Sequence, residues 1–306
     1  MTDEHGSATT ALGTARRLVE GFSIEVTPRE TDKLEEAARV LAPGTAVYVT
    51  FLGNVPFERS LATARRAREV GLRPVVHLAV RAIADLGALD RTLGQLADQE
   101  VTDILLVAGS IAEPAGSLDR TLQVLESPAL QRRGFASIGV AGHPEGNPGV
   151  DPGAVDDAVV QKNKIAADAG LPLHLVTQFC FSADPVVAWE RRMRDAGNRL
   201  PVHVGLPGLT SPARLLKFGL SCGIGPSLSV LRKQGGSVLK LATQVYRPAQ
   251  TLAGLARAVA DDAESLLTTV HFFPFGAVVP TATWASAISA GRFRLTDDGR
   301  LETDVD

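Results

Sequence analysis

Pro74-Val-Val-His-Leu-Ala79 and Asp103-Ile-Leu-Leu-Val-Ala108, with Leu89 to Gln99 between them, read as strand, helix, strand. The two flanking runs are apolar nearly throughout, as strands are when helices cover them outside and side chains pack within. The middle segment spaces its apolar residues three and four apart, the pattern of an amphipathic helix. Working outward, the same kind of run recurs as Phe22–Val26 and Ala46–Phe51 before this unit. After it come Ala136–Ala141, Leu173–Phe179, Pro201–Gly205 and Thr268–Phe273, and helical spacing returns over Glu58 to Val70 and Asp156 to Ala169. Strand then helix, eight times, predicts a single-domain (β/α)8 barrel; a doubly wound open sheet is the competing architecture. The interval from Gly205 to Thr268 is long and must hold an extra helix or an irregular loop.

The chain has 306 residues, 45% of them hydrophobic and 21% charged, enough to bury a large core. Residues 1–20 read as a flexible leader, 21–292 as the barrel and 293–306 as an acidic tail. A net charge of −3 with mixed signs offers no basic face for nucleic acid. Cys180 and Cys222 are too few for a disulfide framework and lack the spacing of a zinc site. The first twenty residues contain no apolar core of a signal peptide, and no run of about 18 apolar residues occurs, so the expectation is a cytoplasmic protein without membrane or metal.

In such a barrel the active site lies where the strands end. The polar residues there are Glu25, Thr50 with Asn54, His77, Ser110, His143 with Glu145 and Asn147, and Gln178. Glu25 is set between Ile24 and Val26, and a carboxyl in such a run loses solvation, so its pKa is expected to rise and hold a proton near neutral pH. The alternative is a side chain turned outward to solvent or to an arginine. Thr177 and Gln178 lie in a similar run, and a buried Gln suits either a polar ring ligand or a core hydrogen-bond network. His77, His174, His203 and His271 fall within strands, where a lone His is more often core than catalyst. The Gly142–Pro148 loop reads as a binding loop, with an ordinary turn as the plain alternative. Phe272, Phe273 and Phe275 could stack on a flat ligand or simply close the core. No G-x-G-x-x-G, G-x-S-x-G or P-loop occurs in a strand–helix context.

The ordered motifs resemble the methylenetetrahydrofolate reductase family over roughly residues 20 to 285. Phe22-Ser-Ile-Glu-Val-Thr-Pro28 is similar to its first-strand F-S-x-E segment, Thr50 to its second-strand Thr, and His77-Leu78 to its third-strand H-L pair. Ile138-Gly-Val-Ala-Gly-His-Pro-Glu145 resembles the V-A-x-Y-P-E segment, with Lys164 matching a helix lysine. Thr177-Gln178-Phe179 resembles T-Q-x-x-F, and Gly205-Leu-Pro-Gly208 a P-G-I-like turn.

The resemblance implies reduction of 5,10-methylenetetrahydrofolate to 5-methyltetrahydrofolate in one-carbon metabolism. In that family NAD(P)H passes hydride to bound FAD, and the flavin passes it to the folate carbon. Glu25 would be the acid that protonates the opening ring, and Gln178, Thr177, Phe179 and Ser110 would bind substrate. Thr50, His77, Gly109, Ala141, His143, Asn147, Asp157 and Lys164 would bind cofactor. The chain departs from the family at Val107-Ala-Gly-Ser110, where L-R-G-D is usual, and at His143, Asn147 and Lys162, several of them in the FAD pocket. Two alternatives follow: direct hydride transfer from nicotinamide to folate, or a folate-binding or one-carbon transferase paralogue without redox activity.

Overall fold

The computed structural model describes residues 12–109, 111, 113–147, 149–221, 245–296 and 301–305. Eight parallel strands close into a barrel in chain order: β1 (Ser23–Val26), β2 (Ala46–Val49), β3 (Arg73–Ala79), β4 (Asp103–Val107), β5 (Ser137–Gly142), β6 (Leu173–Thr177), β7 (Val202–Pro207) and β8 (Leu267–Phe273). Closure is direct, since β1 pairs with β2 on one side and with β8 on the other. All eight expected runs are strands, with ends displaced by a few residues at most.

Helices cover the outside. The first, α1, spans 12–20. It is followed by α2 (Lys33–Ala38), α3 (Phe57–Glu69), α4 (Leu86–Asp98), α5 (Thr121–Leu125), α6 (Pro128–Gln131), α7 (Pro152–Ala169) and α8 (Ala183–Asp195). Three more, α9 (Pro212–Ser221), α10 (Ala249–Ala260) and α11 (Val278–Ser289), come later, the first two within the long interval before β8. Among the described residues no helix is long and apolar enough to cross a membrane.

Alternation along each strand divides the core in two. Ile24, Val26, Val47, Val49, Val76, Leu78, Ile104 and Leu106 face outward into the main core under the helices. Ala46, Tyr48, Val75, Leu105 and Val176 form a separate cluster inside the barrel. Position 25 therefore shares the inward side with 23, and position 48 with 46 and 50.

The described parts of the expected leader and tail, residues 12–20 and 293–296 with 301–305, carry regular structure. Residues 12–20 form a helix that buries Ala15, Leu18 and Val19. Thr269 Oγ1 of β8 donates to the Leu18 carbonyl at 3.0 Å, and Arg16 Nε donates to the Ser289 carbonyl at the end of α11. Helix ends and strand starts meet at the N-terminal face of such a barrel, so α1 caps that face. In the last segment β9 (Phe293–Leu295) pairs antiparallel with β10 (Leu301–Thr303), and Leu301 is buried in the main core. Apolar residues in each segment supply the burial that a purely polar tail would lack.

Candidate active site

Glu25 is the third residue of β1, and its side chain enters the barrel near the mouth, 15% exposed. Thr50 Oγ1, just beyond β2, donates to Glu25 Oε2 at 3.1 Å. The other oxygen faces two imidazoles: His77 Nε2 of β3 at 3.5 Å and His271 Nε2 of β8 at 3.4 Å. Both ring nitrogens are buried, and neither has a partner of normal hydrogen-bond geometry. Among the described residues no group of three His, Cys, Asp or Glu side chains is arranged to hold a metal ion.

The electrostatics correct the expectation for Glu25. Burial does push its carboxyl upward, but the contact from His271, the fields of His77 and His271 and the Thr50 hydroxyl outweigh it, and the net shift is downward. Burial lowers His77 to about 4, so at neutral pH the charge resides on the carboxylate and this imidazole is neutral. The site in its resting state thus presents an anion rather than a stored proton.

Behind the carboxylate the interior is polar. Ser23 Oγ and His271 Nδ1 are 2.8 Å apart, and Tyr48 Oη and His174 Nε2 are 3.0 Å apart. The rings of Tyr48 and His271 lie 4.5 Å centre to centre. His174 stacks on His203 at 4.1 Å, which neutral rings tolerate; burial holds His174 at about 4 and His203 at about 2. Gly139 makes room for this ring, since a Cβ there would lie 2.7 Å from Leu105 Cδ1 and 3.1 Å from His174 Nε2.

Gln178 continues the inward alternation of β6 after Val176. Its Oε1 accepts the Phe179 N–H at 3.1 Å, which leaves the amide's NH₂ end for other partners. Phe179 is buried in an aromatic wall, with ring centres 5.5 Å from Phe273, 4.9 Å from Phe275 and 5.8 Å from Phe181. Thr177 points the other way. Its hydroxyl accepts the Gly205 N–H at 2.8 Å and donates to the Gln178 carbonyl, so it ties β6 to β7 instead of reaching the mouth. Ser110 lies outside the described residues.

The positions that the resemblance assigns to cofactor do not converge. Thr50 and His77 are committed to Glu25. Gly109 sits at φ 92° with its Cβ position 3.0 Å from Ala79. Asn147 is exposed in the loop after β5. Asp157 and Lys164 are exposed on α7, on the side opposite its buried residues Val155, Val159, Lys162 and Ala166, so they face away from the barrel. Lys162 is the inward lysine. Only 6% exposed, it donates from Nζ to the Ala141 carbonyl at 3.0 Å, and burial lowers it to about 8. Beside it, burial and then the Lys162 charge lower His143 to about 4. An ammonium stands at the end of β5, and two assigned side chains lie on the far face of a helix. This donor set does not fit a flavin, and no chemical step is assigned to one.

A pocket of about 320 Å³ opens beside His143, lined also by Glu145, Val155, Asp156 and Arg192. A narrow cleft joins the Pro144–Gly146 turn to Gln178, Phe179 and Cys180.

Sequence reasoning read His271 as a strand histidine more often core than catalyst and gave Tyr48 and Ser23 no role, although counting by twos from Glu25 and Thr50 puts Ser23 and Tyr48 on the same inner face. It also passed over Lys162 as an inward residue, although 155, 159, 162 and 166 follow the helical spacing of α7's buried stripe.

No family model matches the chain. Solved structures with a similar fold include a protein described as a phosphonomutase from Burkholderia cenocepacia J2315, at 12% identity and a TM-score of 0.48, covering 94% of this chain and 100% of that one. A sialic acid synthetase from Leptospira borgpetersenii serovar Hardjo-bovis, in complex with citrate, is 12% identical at a TM-score of 0.40, covering 79% and 82%. DHDPS from Cyanidioschyzon merolae, with lysine bound, is 14% identical at 0.42, covering 79% and 75%. A scaffold shared at such identity carries no information on chemistry.

Proposed function

We propose that the chain is a methylenetetrahydrofolate reductase-like enzyme that takes hydride from NADH or NADPH and delivers it directly to the folate. The observation that carries this reading is Glu25: an ionised, 15% exposed carboxylate at a barrel mouth, backed by Thr50, His77 and His271. Opening the five-membered ring of 5,10-methylenetetrahydrofolate creates an iminium cation and requires a proton at the departing nitrogen. An anion fixed beside that carbon stabilises the cation where it develops, and in a site closed to water such a fixed charge acts strongly.

The downward shift of Glu25 is compatible with this task. A bound pterin covering the exposed edge removes the last water and raises the carboxyl's affinity for a proton. In that covered state Glu25 takes up a proton, gives it to the folate nitrogen, and returns to the anion that faces the iminium. The Gln178 amide offers N–H donors to a pterin, and the wall of Phe179, Phe273 and Phe275 offers ring faces and edges for a flat ligand. Direct transfer is favoured over a flavin relay because Asp157 and Lys164 face away from the barrel and Lys162 occupies the end of β5.

The test is nicotinamide oxidation by the purified protein without added flavin, using nicotinamide deuterated at C4. Oxidation that depends on methylenetetrahydrofolate, with the label recovered in the methyl group of the product, is expected. Retained folate binding without nicotinamide oxidation would replace this reading with a non-redox paralogue, and a yellow protein carrying stoichiometric FAD would defeat direct transfer.

A further inference from the structure

Burying a charged side chain opposes folding unless an opposite charge or a full set of hydrogen bonds goes with it. Lys162 has neither. Its ammonium, on the inward stripe of α7, donates once, to the Ala141 carbonyl at 3.0 Å. An ammonium carries three donors, and among the described residues the other two have no partner and no carboxylate forms an ion pair with it. Burial lowers the group to about 8, so it is still mainly a cation at pH 7.

The fold sets this charge beside open space. Side chains of a helix lean toward its N-terminus, so Lys162 points back along α7 toward Val159 and Val155, the end of the stripe nearest the barrel's mouth. Ala141, which it meets, stands two positions before His143 in the chain. Val155 and His143 both line the pocket of about 320 Å³, and the His143 imidazole makes no hydrogen bond among the described residues. Lys162 does not itself form the wall, but its flexible four-carbon stem lets the ammonium turn toward a counter-ion at the His143 end.

We infer that this pocket takes a small monocarboxylate, its anionic group held by Lys162 and His143 and its aliphatic body against Val155, Pro144, Pro152 and Pro185. The remaining charges of the wall select this class. Arg192 Nε and Asp156 Oδ2 are 3.0 Å apart and offset each other. Glu145 adds a carboxylate to the wall and repels a second negative charge, which disfavours a phosphate dianion. A neutral ligand leaves the buried ammonium uncompensated. The site uses neither Glu25 nor its imidazoles, so the inference is independent of the proposed reaction.

The test is calorimetric titration of the full chain with isobutyrate, with its neutral isostere isobutyramide and with inorganic phosphate. Isobutyrate should bind saturably, and the other two should each bind at least about tenfold more weakly. Lys162→Met keeps an unbranched stem and removes the buried charge; it should fold and lose at least about tenfold in isobutyrate affinity, whereas Lys164→Met, on the exposed face of α7, should bind as wild type does. NMR of the wild type gives a second reading that stands even if Lys162→Met does not fold: the His143 ring signals should move as isobutyrate is added and stay in place with isobutyramide. Absence of saturable isobutyrate binding, equal binding of isobutyramide, tighter binding of phosphate, His143 signals that do not move, or a folded Lys162→Met with unchanged affinity would each overturn the site.

Discussion

Gly139 is a tight interior position beside the site, since a Cβ there would lie 2.7 Å from Leu105 Cδ1 and 3.1 Å from the His174 Nε2 that meets Tyr48. Gly139→Ala should push the His174 ring off Tyr48 and destabilise the protein by about 1–3 kcal/mol, the usual penalty for an overpacked core. Urea unfolding measures it, and an unchanged midpoint would show that the ring moves without cost. Glu25 shows what a sequence can and cannot tell at this scale. Its place in an apolar strand marked it as the buried acid, but Ile24 and Val26 face outward into the helix layer and say nothing about what its carboxyl meets. Its partners come from β2, β3 and β8, up to 246 positions away in the case of His271, and they reverse the direction of its pKa shift.

Elements were more legible than contacts. Near-continuous apolar runs betray strands covered on both faces, so all eight were readable, and errors fell only at their ends. The helix α1 was hidden by its charged, small-residue context, although Leu12, Ala15, Leu18 and Val19 have helical spacing and the last three are buried. Deleting residues 1–20 should therefore lower stability by roughly 3–5 kcal/mol, given about 1.5–3 kcal/mol for each large buried aliphatic side chain. An unchanged urea midpoint for the truncated chain would return α1 to the status of a loose leader. The faces of α7 could be counted from sequence, but which face met the barrel could not. Only the buried stripe of Val155, Val159, Lys162 and Ala166 settles that Lys162 points in while Asp157 and Lys164 point out.

For the molecule as a whole, the buried histidines make stability depend on pH. An unfolded histidine titrates near 6.5, whereas His77 and His174 are held at about 4 in the fold. Between those values the unfolded chain binds more protons than the folded one, so stability falls as pH falls from 6.5 toward 4, by about 1.4 kcal/mol per pH unit for each such group. Glu25, whose carboxyl is lowered, adds stability above its unfolded value that is lost as pH drops through its folded one. Thermal midpoints measured from pH 7 to pH 4.5 should decline steadily, and a flat series would mean that these rings are solvated. The barrel and its helices place one arrangement at the mouth: a carboxylate at position 25 bonded by a threonine hydroxyl and faced by two imidazoles. That arrangement is tested most directly by comparing Glu25→Gln with wild type for folate-dependent oxidation of nicotinamide, with folding and folate binding measured alongside. Turnover should fall by about 10²–10⁴-fold while both controls stay intact, and full activity in the variant would contradict the role given to Glu25.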